Sequence, residues 1–178
     1  IMAGILTLAA MYTKILAAFL VNFFSVIYSI PSLALFAVLI PVTGLGKGTA
    51  FIVLVLFNQY ILLRNFIAGL NTVDLAIVEA AGGMGMTTSQ ILFRIRLPLS
   101  LGPMFAGIRL ATVSTIGIAT IAASINAGGL GTVLFDGLRS MNVYKIVWGA
   151  VLSACLAIGA NRVLGIVRKM TTMTVVDK

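Results

Sequence analysis

Long apolar runs dominate the chain, and short polar segments separate them. A transmembrane helix needs about 20 apolar residues in succession, and such runs cover residues 15–40, 50–70, 104–125 and 146–167. The run at residues 1–11 is about half as long as a span requires, and we interpret it as the tail of a spanning helix. The pattern therefore predicts an all-α protein, a polytopic transmembrane helical bundle of about five spans whose first span is truncated.

The run 15–40 is too long for one straight span. A helix of this length would measure roughly 39 Å, whereas the hydrocarbon core of a bilayer is about 30 Å thick. Pro31 lies inside the run and lacks a backbone N–H, which tends to kink a helix. The run is therefore expected to be either one kinked span or a short interfacial piece followed by a span.

The segments between the spans differ in composition. Residues 42–49 predict a glycine-rich turn, residues 126–145 a loop with a short apolar piece at 130–138, and residues 171–178 a short polar tail. Residues 71–103 are the most polar stretch, and we expect them to lie outside the lipid.

The composition agrees with a lipid environment and excludes much enzyme chemistry. The 178 residues are 61% hydrophobic and 9% charged, with a mean hydropathy of +1.17, whereas soluble domains are about 25% charged. There is no His, the one cysteine is Cys155, and the four acids (Asp74, Glu79, Asp136 and Asp177) are scattered. We therefore expect no catalytic residues, no metal site and no cofactor in this chain, since a His-based triad, a Cys/His metal site and a close carboxylate pair are all excluded.

The net charge of +8 reflects twelve Lys and Arg residues. In membrane proteins such residues accumulate at the cytoplasmic ends of the spans. If residues 71–103 are cytoplasmic, nine of the twelve basic residues lie at cytoplasmic ends, and the inverted topology reverses that ratio. The charge therefore predicts a membrane orientation with a cytoplasmic C-terminus, and it does not indicate binding to nucleic acid.

The most polar stretch has the pattern of two short helices joined by a glycine-rich turn. Thr72 is a candidate cap for the first helix, and the turn is Gly82-Gly83-Met84-Gly85. The second helix opens with Thr87 and Gln90 in the spacing of a capping box, and Pro98 is expected to end it. A compact helical element on one side of a membrane bundle has the shape of a docking element.

The same stretch carries a family signature. Glu79-Ala80-Ala81 is followed after three residues by Gly85 and after nine more by Ile95-Arg96-Leu97-Pro98. This pattern resembles the EAA motif of the permease subunits of bacterial ABC importers. Further segments, within about residues 22–165, resemble the osmoprotectant branch of that family, which imports glycine betaine, carnitine and choline: Ile30-Pro31-Ser32-Leu33-Ala34-Leu35, Gly44-Leu45-Gly46, Arg64-Asn65, Gly107-Ile108-Arg109 and Ala127-Gly128-Gly129-Leu130-Gly131.

The resemblance implies a MetI-like type I ABC importer permease fold, formed by a single transmembrane permease domain over residues 1–178 in a bacterial inner (plasma) membrane. It also implies a cytoplasmic ATPase subunit that binds ATP and magnesium, a second permease subunit, identical or paralogous, and an extracytoplasmic substrate-binding protein. Residues 44–49 are not a phosphate loop, because Pro41 stands where its first glycine would be. The alternatives are a permease for methionine or another small solute, and a stand-alone channel or ion-coupled carrier.

In this family the EAA loop is the coupling helix, which docks into a groove of the ATPase. Small residues let a partner surface approach closely, and Glu79 either pairs with a basic residue of the ATPase or caps its own helix. Arg94 and Arg96 either contact the ATPase or lie among lipid headgroups. The resemblance implies that the ATPase-coupling residues are Glu79, Ala80, Ala81, Gly82, Gly85, Met86, Arg94, Ile95, Leu97 and Pro98.

Polar residues inside the predicted spans are candidates for a translocation path, because a polar group in lipid is costly unless it faces protein or water. Interhelical hydrogen bonding and close helix packing are the alternatives. Asn22, Ser25, Tyr28 (or Ser29) and Ser32 recur every three or four residues, which places them on one helix face. Thr112, Thr115 and Asn126 are likewise expected to share one face of the helix formed by the run 104–125. The candidates are Asn22, Ser25, Tyr28 (or Ser29), Ser32, Asn58, Gln59, Thr112, Thr115 and Asn126.

Quaternary ammonium ligands are typically held by clustered aromatic rings. Tyr28, Phe57, Tyr60 and Phe135 are scattered along the chain, and the sequence predicts no aromatic box in the spans. We therefore expect the solute affinity to reside on the separate binding protein and the permease to provide a weak polar path.

Overall fold

Helices form almost all of the structure. The computed structural model describes residues 2–11 and 13–176 and contains no strand within them. A π-helical turn, Leu92–Arg96, joins α6 to α7, and a 3-10 turn, Ala123–Ile125, follows α7. The α-helices are α1 Met2–Ala10, α2 Lys14–Ser29, α3 Ser32–Thr43, α4 Lys47–Asn71, α5 Leu75–Gly83, α6 Thr88–Ile91, α7 Leu97–Ala122, α8 Gly131–Arg139 and α9 Val143–Val176.

Within the described residues, three helical stretches are long and apolar enough to cross a membrane, namely Lys47–Asn71, Thr88–Ile125 and Val143–Thr171. The bent pair of α2 and α3 adds a fourth if it counts as one span. Helix α4 packs against α7 and α7 against α9, while α1 and α2 pack against α4. The predicted all-α transmembrane bundle is therefore confirmed, and the run 1–11 contributes the helix α1 to it.

The break between α2 and α3 is much sharper than a proline kink, because the two helices meet at 94°. Ile30 is extended, with φ −73° and ψ 127°. The ring of Pro31 causes this, since it disfavours helical backbone in the residue before it. The run 15–40 is therefore a broken helix, and its longer arm, the 16-residue α2, comes before the 12-residue α3.

Pro98 does not end the second helix of the polar stretch, as the sequence predicted. Helix runs without interruption from Thr88 to Ile125, over 38 residues. In the π-helical turn the Leu97 N–H bonds to the Leu92 carbonyl, five residues back. This wider turn accommodates Pro98, whose ring would clash with the carbonyl four residues back in a regular α-helix. Part of the stretch expected to lie outside the lipid is thus continuous with a span.

Three boundaries differ from expectation in smaller ways. The glycine-rich turn is confined to residues 44–46, because α3 continues through Pro41. The apolar piece at 130–138 is the helix α8, which packs along α9. Helix α9 continues to Val176, so most of the predicted polar tail is helical.

The buried core lies where α3, α4 and the end of α7 meet. Phe36 is 1% exposed and Val53 is fully buried. Close packing of these side chains holds the short α3 on α4 beyond the helix break, since van der Waals contact between side chains stabilises helix association in a membrane. The core comprises Leu35, Phe36, Ala50, Val53, Phe57, Ile118, Ala122 and Ile125.

Candidate coupling surface and translocation path

The candidate coupling segment covers about residues 71–103, and its first helix, α5, is capped by Asp74. Its Oδ1 accepts a hydrogen bond from the Ala76 N–H at 2.9 Å, which satisfies one of the free N–H groups at the helix start. Thr72 closes the preceding α4, because its Oγ1 donates to the Gly69 carbonyl at 2.7 Å. The cap expected at Thr72 is therefore wrong, and the carboxylate of Asp74 also suits the positive end of the helix dipole.

The glycine of the EAA motif, Gly85, ends α5 in a Schellman turn. The Met86 N–H donates to the Ala81 carbonyl at 3.1 Å, and the Gly85 N–H donates to the Gly82 carbonyl at 2.9 Å. Gly85 has φ +81°, a backbone conformation that glycine adopts at little cost and other residues at a higher one. The geometry of this turn therefore explains why the motif has glycine at position 85.

The second helix starts with the predicted capping box, which is confirmed. The Thr87 N–H donates to the Gln90 Oε1 at 2.9 Å, and the Gln90 N–H donates to the Thr87 Oγ1 at 3.4 Å. Helix α6 then leads through the π-helical turn into α7. The turn at the end of α5 is therefore connected to a membrane span by continuous helix.

One side of α5 and its turn is exposed, and we refer to it as the coupling surface. Leu75 and Met84 are 67% and 76% exposed. A Cβ atom added to Gly82 or Gly83 would meet no atom within 4 Å, so packing within the chain does not require glycine at either position. Exposed apolar side chains next to bare backbone are suited to a closely fitting partner. The coupling surface comprises Leu75, Ile77, Glu79, Ala80, Gly82, Gly83 and Met84.

The other residues implied for coupling are divided between surface and interior. Arg94 is exposed, whereas Ala81 is only 1% exposed. Arg96 is half-buried and lines two clefts, of about 310 and 330 Å³, that also include residues of α1. The structure thus favours a packing role for Arg96 and leaves Arg94 accessible. The remaining residues of this set are half-buried: Met86, Ile95, Leu97 and Pro98.

The polar residues of the first long run do not all share one face. On α2, Asn22 and Tyr28 are exposed and Ser25 is half-buried. Ser32 lies on α3, beyond the 94° break. The expectation of one continuous polar face is therefore wrong for Ser32, because Pro31 interrupts the helix before it.

Asn58 on α4 and Thr115 on α7 form a polar contact between two spans. The Asn58 Nδ2 donates to the Thr115 Oγ1 at 2.8 Å, and this hydroxyl donates to the Ala111 carbonyl at 2.7 Å. Asn58 and Thr115 line a cleft of about 340 Å³, together with Thr112 and residues of α1. Three of the candidate path residues therefore lie at one junction of α1, α4 and α7.

Gln59 and Asn126 lie apart from this junction. Gln59 is 6% exposed, and its Oε1 has no hydrogen-bond partner within the described part of the chain. Asn126 follows the 3-10 turn with φ 64°, a left-handed conformation that Asn tolerates. It caps the end of the helix, so the expectation that it shares a helix face with Thr112 and Thr115 is wrong.

Near the helix break Tyr28 of α2 meets two aromatic side chains of α4, Phe57 and Tyr60, and we call these three residues the aromatic cluster. The ring centroids of Tyr28 and Tyr60 are 4.7 Å apart, and those of Tyr28 and Phe57 are 5.2 Å apart. Arg64 extends the cluster, because its Nη1 donates to the Tyr60 Oη at 2.7 Å. The expectation of scattered rings is wrong for these three, since the pairing of α2 with α4 brings them together.

Sequence reasoning also missed the partner of Arg109. The Arg109 Nε on α7 donates to the Asn161 Oδ1 on α9 at 2.8 Å, in a half-buried position. A charged side chain within a span is costly unless such a partner or water is at hand. The only signal for this contact in the sequence was the polar pair Asn161-Arg162 within a largely apolar run.

The helical bundle, with several apolar spans and a short exposed helix outside them, defines the class of the protein as a polytopic membrane protein. More particularly, the chain belongs to the family of binding-protein-dependent transport system inner membrane components, which matches residues 1–171. The family predicted from the EAA motif is therefore confirmed.

Individual relatives agree with this assignment. The carnitine transport permease protein OpuCD of Listeria monocytogenes serotype 1/2a is 39% identical over 157 residues, which cover 88% of this chain and 70% of the relative. The choline transport system permease protein OpuBD of Bacillus subtilis is 39% identical over 138 residues, 77% of this chain and 61% of the relative. A chain of the inward-facing MetNI methionine ABC transporter superimposes with a TM-score of 0.78 at 22% identity, over 92% of this chain and 77% of that chain. The last likeness confirms the MetI-like fold.

Proposed function

We propose that this chain is the permease subunit of an ATP-driven ABC importer for osmoprotectants such as glycine betaine, carnitine and choline. In this proposal it forms half of the translocation pore and is moved through its coupling surface. The observation that carries the proposal is the turn at Gly82–Gly85, which is open to a partner and connected by continuous helix to a span.

The chemistry of the coupling surface supports docking of a cytoplasmic ATPase subunit. The exposed apolar side chains of Leu75, Ile77 and Met84 accompany the exposed carboxylate of Glu79. A groove with apolar walls and a basic residue complements such a surface. ATP and magnesium bind to that ATPase, and the C-terminus lies on the same cytoplasmic side, as the distribution of basic residues predicts.

The continuous helix gives this docking a mechanical consequence. When two ATPases close around ATP, each displaces the α5 turn that it holds. Because Thr88–Ile125 is one helix, the displacement reaches α7 and its contacts with α4 and α9. Such rigid-body motion of packed helices is an established way to alternate between inward- and outward-facing states.

The relatives support the substrate class, since their names specify carnitine and choline transport. A second permease, identical or paralogous, completes the pore, and an extracytoplasmic binding protein delivers the solute. Methionine or another small solute is the alternative, although the likeness to the methionine transporter, at 22% identity, concerns the fold alone.

Uptake into proteoliposomes tests the substrate class. The chain is reconstituted with its cognate ATPase and binding protein, and uptake of labelled glycine betaine, carnitine, choline and methionine is compared with and without ATP. We expect ATP-dependent uptake of at least one trimethylammonium solute. Uptake of methionine alone would refute the osmoprotectant assignment, and uptake by the purified chain without ATPase would instead indicate a channel or carrier.

A charge reversal tests the docking role of the coupling surface. Glu79→Lys should weaken ATPase binding and ATP-driven uptake by about tenfold or more, because a like charge facing a basic groove is strongly unfavourable. Asp136→Lys is the matched control, since Asp136 is also an exposed helical acid but lies on α8. Co-purification of the ATPase with each variant measures docking directly. Equal ATPase retention by both variants would exclude Glu79 from the contact.

A further inference from the structure

The aromatic cluster lies at a depth where membrane transporters place their substrate sites. With a rise of about 1.5 Å per residue, Tyr60 lies about 20 Å from the Lys47 end of α4 and about 17 Å from the Asn71 end. The cluster is therefore near the middle of the span. Tyr28 is at the end of α2, two residues before the extended Ile30 at the break. In secondary transporters, substrate sites are typically formed near the bilayer midplane by such discontinuous helices.

The cluster is partly accessible. Phe57 is 6% exposed and belongs to the core, whereas Tyr28 is 37% exposed. Tyr28 and Tyr60 are inclined at 31° with centroids 4.7 Å apart, so they stack on each other and leave no room for a ligand between them. A ligand would therefore contact the open flank of the stacked pair, over the accessible part of Tyr28.

Arg64 supplies a cation at the edge of the cluster. It is exposed, its Nη1 donates to the Tyr60 Oη at 2.7 Å, and its Cζ lies 5.9 Å from the Tyr60 ring centroid. Arg64 lies seven residues before the Asn71 end of α4, and an arginine at this depth faces water, another subunit or the lipid headgroups and not the hydrocarbon. The exposed Asn22 and half-buried Ser25 on α2 add polar groups to the side of that helix that leads to Tyr28. This combination of polar groups is suited to a hydrated path.

We propose that Tyr28, Tyr60 and Arg64 form a low-affinity transit site for trimethylammonium zwitterions in this permease, an inference that rests on the proposed osmoprotectant transport. The trimethylammonium group contacts the open ring flank by cation–π attraction. The carboxylate accepts hydrogen bonds from Arg64, whose planar donor fork matches a carboxylate. Because the rings enclose the cation on one side only, binding is weak, as passage through a pore requires.

The ring contribution is tested in proteoliposomes that contain the full complex with its cognate ATPase and loaded binding protein. Initial uptake of labelled glycine betaine and of choline is measured together with ATP hydrolysis. Tyr28→Leu should reduce uptake of both solutes by about fivefold, whereas Tyr28→Phe, which keeps the ring, should retain most of it. Tyr144→Leu is the matched control, since Tyr144 is an exposed tyrosine on α9 far along the chain from the cluster. Uptake and ATP hydrolysis stimulated by the binding protein should both be unchanged in the Tyr144→Leu control.

If the complex with Tyr28→Leu does not assemble, substitutions that conserve the size of the side chain provide a second test of the ring contribution. Phenylalanine analogues with increasing ring fluorination, incorporated at position 28, weaken the cation–π attraction while the ring shape is nearly unchanged. Uptake should fall stepwise with fluorination. Equal uptake across the fluorination series would overturn the cation–π part of the proposal.

The arginine contribution is tested by comparing the two solutes. Choline has no carboxylate, so Arg64→Gln should reduce glycine betaine uptake by about fivefold or more and leave choline uptake within about twofold. Arg139→Gln, an exposed arginine on α8, is the control. An equal loss for both solutes would overturn the carboxylate role of Arg64.

Uptake by the wild-type complex distinguishes failure of the proposed osmoprotectant transport from failure of the proposed transit site. If it transports neither glycine betaine, carnitine nor choline, the proposed function fails and the transit site fails with it. If it transports these solutes and the variants at positions 28 and 64 behave like their controls, the proposed function stands and the transit site alone is refuted.

Discussion

Gly107 on α7 lies directly against Asn65 on α4, so closely that a Cβ atom on Gly107 would overlap the Asn65 Cβ and would also lie 3.1 Å from its Cγ. These residues belong to two of the short segments by which the sequence resembles osmoprotectant permeases, Arg64-Asn65 and Gly107-Ile108-Arg109. The structure shows that the two segments meet across one helix interface. Close backbone approach of this kind is a main source of stability between membrane helices, and it requires a small residue.

Gly107→Ala should therefore destabilise the permease by about 1–3 kcal/mol, the usual cost of an added methyl group in a filled interface. The free energy of unfolding in mixed micelles measures this cost. Gly117→Ala is the matched control on the same helix, because a Cβ at Gly117 would meet no atom within 4 Å. Similar stabilities for the two variants would contradict the close contact of α4 with α7.

The hydrogen bond between Asn58 and Thr115 should contribute little to stability. Interhelical hydrogen bonds in membrane proteins average about 0.6 kcal/mol. A double-mutant cycle with Asn58→Ala and Thr115→Val, read as unfolding free energy, should give a coupling of that size. If transport in the full complex falls far more than this coupling explains, the pair acts in the path. Unchanged transport would assign it to packing alone.

Local features of this fold could be predicted from the sequence with good fidelity. The span positions follow from runs of apolar residues, and the capping box at Thr87 and Gln90 involves residues only three positions apart. The EAA spacing predicted the family, and its glycine stands in a turn that closes within six residues, from Ala81 to Met86. Each of these signals is contained in one short stretch of sequence.

Features that depend on another helix, or on competition between neighbours, could not be predicted in this way. Tyr28 and Tyr60 meet only because α2 packs on α4 in one particular register. Thr72 and Asp74 are both good capping residues, and the structure uses one to end a helix and the other to begin the next. Pro98 normally signals a helix end, and it fails to do so because a π-helical turn, invisible in the sequence, makes room for its ring.

Loss of the Asn161 side chain should destabilise the bundle, because Arg109 would lose its hydrogen-bond partner. Asn161→Ala removes the acceptor that the Arg109 Nε reaches at 2.8 Å. Hydrogen bonds to charged groups contribute about 1.5–3 kcal/mol, so the variant should lose a comparable amount of unfolding free energy. Asn161→Asp keeps an acceptor oxygen and should retain stability or gain slightly. The prediction is wrong if Asn161→Ala and Asn161→Asp unfold alike.

Gly85 offers the most local test of the coupling segment. A non-glycine residue at its φ of +81° costs about 1–2 kcal/mol, so Gly85→Ala should open the turn more often while the bundle remains folded. The Met86 amide, which donates to the Ala81 carbonyl, should then exchange its hydrogen about tenfold faster, since about 1.4 kcal/mol corresponds to tenfold in an equilibrium. Gly85→Asn should show a smaller increase, because Asn tolerates this conformation better, and Gly82→Ala should show none, because a Cβ there meets open space. A rapidly opening turn cannot transmit force as a rigid unit, so ATP hydrolysis in the full complex should become less well coupled to uptake in Gly85→Asn and still less well in Gly85→Ala. If coupling is instead worst in Gly82→Ala, whose own turn is intact, contact with the ATPase at that position limits transport more than the conformation of Gly85.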